Sequence, residues 1–408
     1  MQKKYITPPD NCTGCGLCAS ICTRNAIRMV WSPEGFPVPE VNSEACINCG
    51  LCAKQCIALE PSAEYHDDIT SVTSYGGWNK DSDIHLQSSS GGIFSALAVQ
   101  TITQNGVVFG VKWQDKLTAV FDKVDTIEGL AQLRGSKYTP ALAGNVYTEV
   151  LQELKSGRKV LFSGTPCQVH ALRKYLRKPY ENLLTIDIVC HGSPSHLILE
   201  KYIQEHEEQS GKTIDHVSFR DKPEGWQNYH VTRHYTDGTT ASLPLTTDTY
   251  MRMFLCDRAL NKVCYNCPYA HIPRQGDITL GDYWEVQKIH PDWPLHKGIS
   301  AVLVNSEQGE QALLQLGDKI ELRKEPFVNI YSGQSVVYVR PESEIPNVRE
   351  LVLKEIKTSA LADIHKRFGN SRKIGPFILN TKSLLYKIVF FPLYLADKKK
   401  RKKRRASL

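Results

Sequence analysis

The chain has 408 residues, 41% of them hydrophobic and 23% charged, enough to bury the cores of two or three domains and too apolar for a disordered polymer. Its formal charge of +7 is concentrated in one run, Lys398, Lys399, Lys400, Arg401, Lys402, Lys403, Arg404 and Arg405; without those eight cations the rest stands at −1, so the body lacks the basic field of a nucleic-acid binder and no nucleic-acid partner is expected. The opening MQKKYITPPDN leads into no apolar stretch, so no secretory signal is expected, and thirteen cysteines in such a chain point to a reducing cytoplasm rather than a disulfide framework.

Two runs dominate the start of the chain. Cys12, Cys15, Cys18, Cys22 and Cys46, Cys49, Cys52, Cys56 each read C-x2-C-x2-C-x3-C, the ligand rhythm of a two-cluster bacterial ferredoxin. In that rhythm the first three thiolates wrap one [4Fe–4S] cube and the fourth reaches the other. One cluster is thereby expected on Cys12, Cys15, Cys18 and Cys56, the second on Cys46, Cys49, Cys52 and Cys22. Gly14, Gly16 and Gly50 let the backbone curl and aim N–H groups at sulfide. Thr23 and Ile57 stand where such runs usually carry proline, which loosens the turn without removing a ligand. Disulfides and zinc are the competing uses, and this spacing is a poor zinc signature. Residues 1–60 are read as this ferredoxin domain, and the polar residues 61–86, with Gly76-Gly77, as a linker.

Beyond the linker the pattern alternates. Gly91 to Gln104 is helix-like, with Ile93, Phe94, Leu97, Ala98 and Ile102 on one face, and Val107 to Trp113 reads as a strand. Lys159 to Ser163 is a further strand, followed by a Gly-Thr-Pro turn and a helix from Cys167 to Arg177. The apolar run Leu183 to Val189 suits a buried strand, and Ser195 caps a helix to Gln209. Tyr229 to Tyr235 alternates, turns at Asp237-Gly238 and returns as a hairpin arm. The fold expected is α+β or α/β: a small N-terminal bacterial-type ferredoxin domain, a larger mixed α/β domain over residues 87–345, and a short helical tail over 346–408 with a polybasic end.

Five segments of this larger part are rich in reactive or small residues: SSSGGIFSAL (88–97), RGSKY (134–138), GTPCQ (164–168), CHGSPS (190–195) and CYNCPYAHIPRQGDITLGDYW (264–284). In this order behind a ferredoxin unit, from about Asn11 to about Tyr338, the chain resembles the coenzyme F420 hydrogenase/dehydrogenase beta-subunit family, which includes the 7-hydroxymethyl chlorophyll a reductases. The resemblance implies an FAD-containing iron–sulfur oxidoreductase and makes residues 87–345 a flavin domain. Clusters would handle electrons singly and the flavin in pairs, between a low-potential carrier such as ferredoxin, or another redox protein, and a small-molecule two-electron acceptor. Coenzyme F420 is one candidate substrate; the catalytic residues stay unassigned. The alternative is a non-catalytic electron-transfer subunit of a larger redox complex.

Local chemistry offers the flavin several contacts. Ser90, Gly91 and Gly92 present bare N–H groups at a helix start, a seat for a pyrophosphate, although serine and glycine before a helix also serve as a plain cap. Gly164 and Thr165 stand at a second such turn. Lys137 could stabilise an anionic reduced flavin, or be a solvated lysine. Asp277 and Asp282 could bind ribose or amide groups, or cap turns. Of the five remaining cysteines, Cys264 and Cys267 form half of a metal site, and Cys167 and Cys190 follow buried strands whose ends could meet at one edge of a sheet. A third [4Fe–4S] cluster is expected on Cys167, Cys190, Cys264 and Cys267, with structural zinc and a redox thiol pair as competitors. Cys256 reads as a packing cysteine, and His191 and His271 as structural neighbours of the metal site. At the far end, the apolar residues from Leu384 to Leu395, interrupted by Pro392, are too short to span a bilayer. With the basic run they have the makeup of an interfacial anchor for anionic membrane, so the localisation expected is cytoplasmic with peripheral contact at the inner membrane face; a solvated tail is the alternative.

Overall fold

The computed structural model describes residues 5–59, 72–332 and 346–369. The first unit is a hairpin, β1 (Ile27–Trp31) against β2 (Pro37–Val41), flanked by two single-turn helices, α1 (Leu17–Ser20) and α2 (Leu51–Lys54). Each helix starts after a left-handed glycine, Gly16 at φ 77° and Gly50 at φ 75°. A side chain at Gly16 would also press to 2.8 Å from Ala143 Cβ, so this unit is fitted tightly to the next.

The body contains, in chain order, β3 (Thr73–Asn79), α3 (Ser82–Gln87), α4 (Ile93–Thr103), β4 (Val107–Trp113), β5 (Ala119–Val124), α5 (Ile127–Leu130), β6 (Ala141–Leu142), α6 (Val146–Lys155), β7 (Val160–Gly164), α7 (Pro166–Leu176), β8 (Leu183–Ile188) and α8 (His196–Ser210). It continues with β9 (Ile214–Asp221), β10 (His230–Tyr235), β11 (Thr240–Pro244), α9 (Thr249–Leu255), α10 (Lys262–Tyr265), β12 (Ile278–Asp282), β13 (Ser300–Val304), α11 (Glu307–Leu314), β14 (Ile320–Lys324) and α12 (Phe327–Ser332), then α13 (Pro346–Glu355) and α14 (Leu361–Ile364). Among the described residues nine strands form one sheet in the order β14-β3-β13-β12-β8-β7-β4-β5-β6. Its centre, β12-β8-β7-β4, is parallel and its outer strands are mostly antiparallel. The strands β9, β10 and β11 make a separate antiparallel sheet.

The central strands are apolar on both faces because helices cover both. Val160 and Phe162 of β7 turn toward α6 and α7, while Leu161 between them joins α4 and α11 on the opposite face. Each such buried side chain contributes about 1.5–3 kcal/mol. Leu17 and Ile57 of the first unit share the core of α6 and α7. A third core joins α8, α9, β9 and β10 to Val352, Leu353, Ile356, Leu361 and Ile364.

The mixed α/β architecture behind a ferredoxin-like unit matches the expectation, and the strands and helices read at 91–113, 159–189, 195–209 and 229–235 are present. Two stretches differ. Residues 72–86, read as the end of a linker, form β3 and most of α3, with β3 paired on both sides by β13 and β14. Residues 346–369, read as the start of a tail, are tied into the third core. Residues 60–71 and the apolar and basic stretch after 369 lie outside the described residues.

Candidate functional site

Cys12, Cys15, Cys18 and Cys56 line one small pocket of the first unit together with Ile6, Leu17 and Ile57. Burial pushes the Cys15 thiol up to about 11 and raises Cys18 further, and the neighbours that add to the rise come from the same set, Cys12, Cys15 and Cys56. Buried sulfurs that repel as thiolates become a favourable set once a cation sits among them, because a coordinating metal deprotonates a thiol outright. The donor set therefore fits an iron–sulfur group. Of the second set, Cys22 and Cys52 share one small core with Cys18 and Cys56. Backbone N–H groups donate to three of these sulfurs: Ile6 to Cys52 at 3.3 Å, Ala26 to Cys22 at 3.4 Å and Asn48 to Cys46 at 3.4 Å. Cys49 is exposed, so this second set has one sulfur-bearing residue at the surface while Cys52 is buried. All thirteen cysteines lie in the described residues, and none forms a disulfide.

A cavity of about 610 Å³ opens where the parallel strands end. Gly110 and Val111 of β4, Gly164 at the end of β7 and Thr165 after it, Val189 and Cys190 after β8, and Gly281 and Asp282 of β12 all line it. Ligands of open α/β sheets sit at these carboxyl ends. Two eleven-residue helices begin on its wall. Helix α4 follows Gly92, held at φ 80°, and α7 opens on a capping box in which the Thr165 side chain and Gln168 satisfy the first N–H groups, with Pro166 inside the first turn. Their N-termini give the wall a positive end without a formal charge.

Ser90, Gly92, Lys137, Gly164, Thr165 and Asp282 all line this cavity, as do Cys167, Cys190, Cys264 and Cys267. Gly91 is behind the wall: its N–H donates to Ser300 Oγ at 2.9 Å, its carbonyl accepts from Asn79 N at 2.7 Å, and it is closed in by the backbone of β3 and β13. Asp277, read as a flavin contact, needs correction. It precedes β12, at the end away from the cavity, where it accepts from Thr185 N at 2.8 Å, Thr185 Oγ1 at 2.6 Å and Ser306 Oγ at 2.8 Å and braces the sheet.

The four cavity cysteines come from three segments: Cys167 in the first turn of α7, Cys190 after β8, Cys264 in α10 and Cys267 just beyond it. Cys167 is deeply buried, which raises its thiol; Thr165 Oγ1, at 3.1 Å, counters the rise, while Cys190, Cys267 and Cys15 add to it. Cys264 Sγ accepts from Ser193 N at 3.3 Å, three residues beyond Cys190. Cys15, from the other unit, packs against the same core as Cys167 and Cys267. Tyr147, wholly buried, feels both Cys15 and Cys167, and its hydroxyl donates to Cys15 O at 2.7 Å. Among the described residues no three His, Cys, Asp or Glu close on one point as the ligands of a single ion do. His191 Nε2 donates to the Asp257 carboxylate at 2.6 Å, and Cys256 ends α9 with its thiol donating to Met253 O at 3.1 Å.

Several groups in the wall gave no signal strong enough in sequence. Arg220, with a side chain 4% exposed, makes a two-pronged pair with Asp282 at 2.9 Å and 2.9 Å and lies over the Tyr229 ring at 4.1 Å. It also donates to Tyr138 Oη at 3.1 Å and Ser89 O at 3.0 Å. Tyr138 and Trp284 closed motifs already noted, whereas Arg220 sits in β9 and Tyr229 just before β10, and only the fold brings them here. Lys222 lies beside them with its amine donating to Ser90 O at 3.1 Å and His85 O at 3.2 Å; burial, with Arg220, pushes it down to about 7. Lys137 donates to Arg134 O at 2.7 Å and Gln132 O at 3.1 Å, and burial likewise pushes its amine down to about 7. Ser89 Oγ ties the two loops together through Ser136 N and Ser136 Oγ, both at 3.0 Å. Ser89, Ser90, Ser136 and Lys137 line the cavity near the N-terminus of α4, a donor set that fits the phosphates of a dinucleotide, while Lys222 stays behind the lining on backbone carbonyls.

Comparison with known proteins follows this division. Residues 157–329 match the family model that describes the C-terminal part of the coenzyme F420 hydrogenase/dehydrogenase beta subunit, and residues 11–58 match a 4Fe-4S dicluster domain. The chain is similar to coenzyme F420 hydrogenase subunit beta of Methanococcus voltae, 24% identical over 288 residues that cover 67% of this chain and 93% of that protein. A chain in the F420-reducing [NiFe] hydrogenase complex from Methanosarcina barkeri superimposes with a TM-score of 0.46 at 18% identity, covering 69% of this chain and 91% of that one.

Proposed function

We propose that this chain, whose residues 157–329 belong to the coenzyme F420 hydrogenase/dehydrogenase beta-subunit family and whose residues 11–58 are a 4Fe-4S dicluster domain, is an iron–sulfur flavoprotein oxidoreductase. It passes electrons between a low-potential carrier of ferredoxin type and a two-electron acceptor in the cavity. The observation that carries this reading is that Cys15 of the ferredoxin unit packs against the same core as Cys167 and Cys267 of the cavity wall. Exposed Cys49 makes the outer set the natural contact for a protein carrier. When bound, the clusters move single electrons and FAD pairs them.

The chain's own residues hold these groups. Cys167, Cys190, Cys264 and Cys267 would take a third cluster between the ferredoxin unit and the cavity. Ser90, Gly92, Gly164 and Thr165 would seat the flavin phosphates on two helix starts, with Lys137 as a nearby cation. Arg220, locked by Asp282, would keep the aromatic part of the wall in place. Coenzyme F420 is the first acceptor to test, because the Methanococcus voltae relative carries it in its name. That relative is one subunit among others by the same name, which favours a second reading: a relay that hands electrons to a partner enzyme.

Anaerobic purification followed by iron, sulfide and flavin analysis, then reduction with ferredoxin, NADH and reduced F420, separates the two. Flavin bound and turned over supports the oxidoreductase. Protein replete in clusters yet free of flavin would overturn it in favour of the relay.

A further inference from the structure

Arg349 lies outside both segments that match a family, on α13, yet it joins three parts of the molecule. Its side chain is 2% exposed. Nε donates to Leu260 O at 2.6 Å, Nη2 donates to Glu34 Oε2 at 2.6 Å, and the guanidinium lies over the Phe36 ring at 5.3 Å. Glu34 and Phe36 belong to the β1–β2 hairpin of the ferredoxin unit, and Leu260 is four residues before Cys264. The guanidinium hydrogen bond and charge, helped by Lys262, hold the Glu34 carboxyl below the usual carboxylate range although burial opposes this.

The same hairpin is gripped from its other side. Ser195 Oγ donates to Glu34 O at 2.6 Å, His196 N donates to Gly35 O at 2.9 Å, and the Trp31 ring stacks on His196 at 4.2 Å. A side chain on Gly35, at φ 76°, would come to 2.7 Å from Ser195 Oγ, so the turn has no freedom to slide. Asn261, next to Leu260, donates to Cys12 O at 3.0 Å. The segment carrying Cys12 and the segment carrying Cys264 therefore meet beside this clamp through Asn261, while Arg349 bonds the latter segment to the hairpin of the ferredoxin unit.

We propose that Arg349 is a positioning residue that fixes the spacing between the inner ferredoxin cysteines and the cavity cysteines, and so the rate at which electrons cross from one to the other. The inference rests on the electron-transfer reading above. Arginine is needed because its planar fork serves two acceptors in different segments at once, which a lysine cannot reproduce.

The test uses the full-length, anaerobically purified protein and its R349M, R349K and E34Q variants. Flavin reduction is followed after mixing with a reduced bacterial ferredoxin, too large to reach into the cavity, and separately with dithionite, which reaches the flavin directly. R349M should keep its iron, sulfide and flavin and its dithionite rate, while the ferredoxin-driven rate falls several-fold, because electron tunnelling weakens steeply as the centres move apart. E34Q should show a smaller loss of the same kind, and R349K should recover only part of it. Equal rates in R349M and wild type would overturn the proposal, as would equal slowing with both reductants, which indicates general damage. If R349M fails to fold, E34Q alone carries the same two outcomes. Should the wild type hold no flavin, the flavoprotein reading fails by itself. The clamp is then judged by magnetic coupling between reduced centres in electron paramagnetic resonance, which E34Q and R349M should weaken and whose constancy would overturn it.

Discussion

Gly91→Ala is the sharpest test of how the loop at residues 88–92 is built. A Cβ on Gly91 would stand 2.2 Å from Gly77 O, 2.7 Å from Ser300 N and 2.9 Å from Ser300 Oγ. Gly77 and Ser300 are partners in the β3–β13 ladder, so the two closest atoms are backbone held by the sheet and cannot step aside. The loop must back away instead, giving up Gly91 N to Ser300 Oγ at 2.9 Å and Asn79 N to Gly91 O at 2.7 Å. Two hydrogen bonds at about 1 kcal/mol each and about 1–3 kcal/mol of overpacking make a loss of roughly 3–5 kcal/mol. At about 2–4 °C per kcal/mol for a domain of 150–250 residues, the melting temperature should fall by roughly 6–20 °C. Because Ser90 and Gly92 flank the loop's fixed point, bound flavin should fall as well. The control is Gly135→Ala, at φ 80° with nothing within 4 Å, where only backbone strain of about 1–2 kcal/mol is expected. Differential scanning calorimetry and flavin-to-protein ratios decide the matter. Gly91→Ala with the stability and flavin content of the wild type would refute the seating of this loop.

Replacing Cys264 and Cys267 together with serine should remove about four irons and leave about eight on the ferredoxin set, whereas loss of zinc at constant iron would establish a structural zinc there. Asp282→Asn takes the charge from a bidentate partner of a buried arginine, and loss of one member of such a pair costs about 3–5 kcal/mol; chemical denaturation showing less than about 1 kcal/mol would mean Arg220 finds another acceptor. Burial holds Lys137 near about 7, while in the unfolded chain a lysine titrates near about 10.4, so the unfolded state binds the extra proton between those values. Stability of flavin-free protein should therefore rise with pH across that window and be indifferent to this amine below it; Lys137→Met should flatten part of the rise, Lys222 supplying the rest, and an unchanged slope would refute the burial of the amine. For the apolar and basic C-terminal stretch, full-length protein should co-sediment with anionic vesicles at low salt and leave them at high salt, while a variant ending at Thr381 stays in the supernatant; equal behaviour of the two removes the anchor proposal.

Elements with strong local signals were legible. Helix α7 could be read from its Gly-Thr-Pro start and α8 from its serine cap, because capping is decided within four residues. β3 could not. Its sequence TSYGGWN is polar and glycine-rich, and it is a strand because the slot between β13 and β14 needs a thin chain: a side chain at Gly76 would strike the Trp293 ring at 2.4 Å, and one at Gly77 the Leu322 side chain at 2.6 Å. The glycines that read as a linker are what let two strands and an indole close over them. Helix α13 misled in the same way, since its partners in the third core come from α8 and α9, some 150 and 100 residues earlier.

The two aspartates of GDITLGDYW show where sequence reading of the site stops. Both flank the same strand, five residues apart, and a strand rises about 3.3 Å per residue, so they stand about 17 Å apart, at opposite ends. Composition cannot say which end holds a ligand, because each aspartate has the same chemistry and each could cap a turn. The pairing of β12 with β8 decides it: the strands are parallel, so Asp282 emerges at the end where Cys190 follows β8, and Asp277 at the end where Thr185 and Ser306 bind it. The cysteines escaped this ambiguity because Cys167 and Cys190 each follow the carboxyl end of a parallel strand, and parallel strands bring their carboxyl ends to one edge. Strand direction, a property of the whole sheet, therefore selects the aspartate, whereas position after a strand was enough to bring the thiols together.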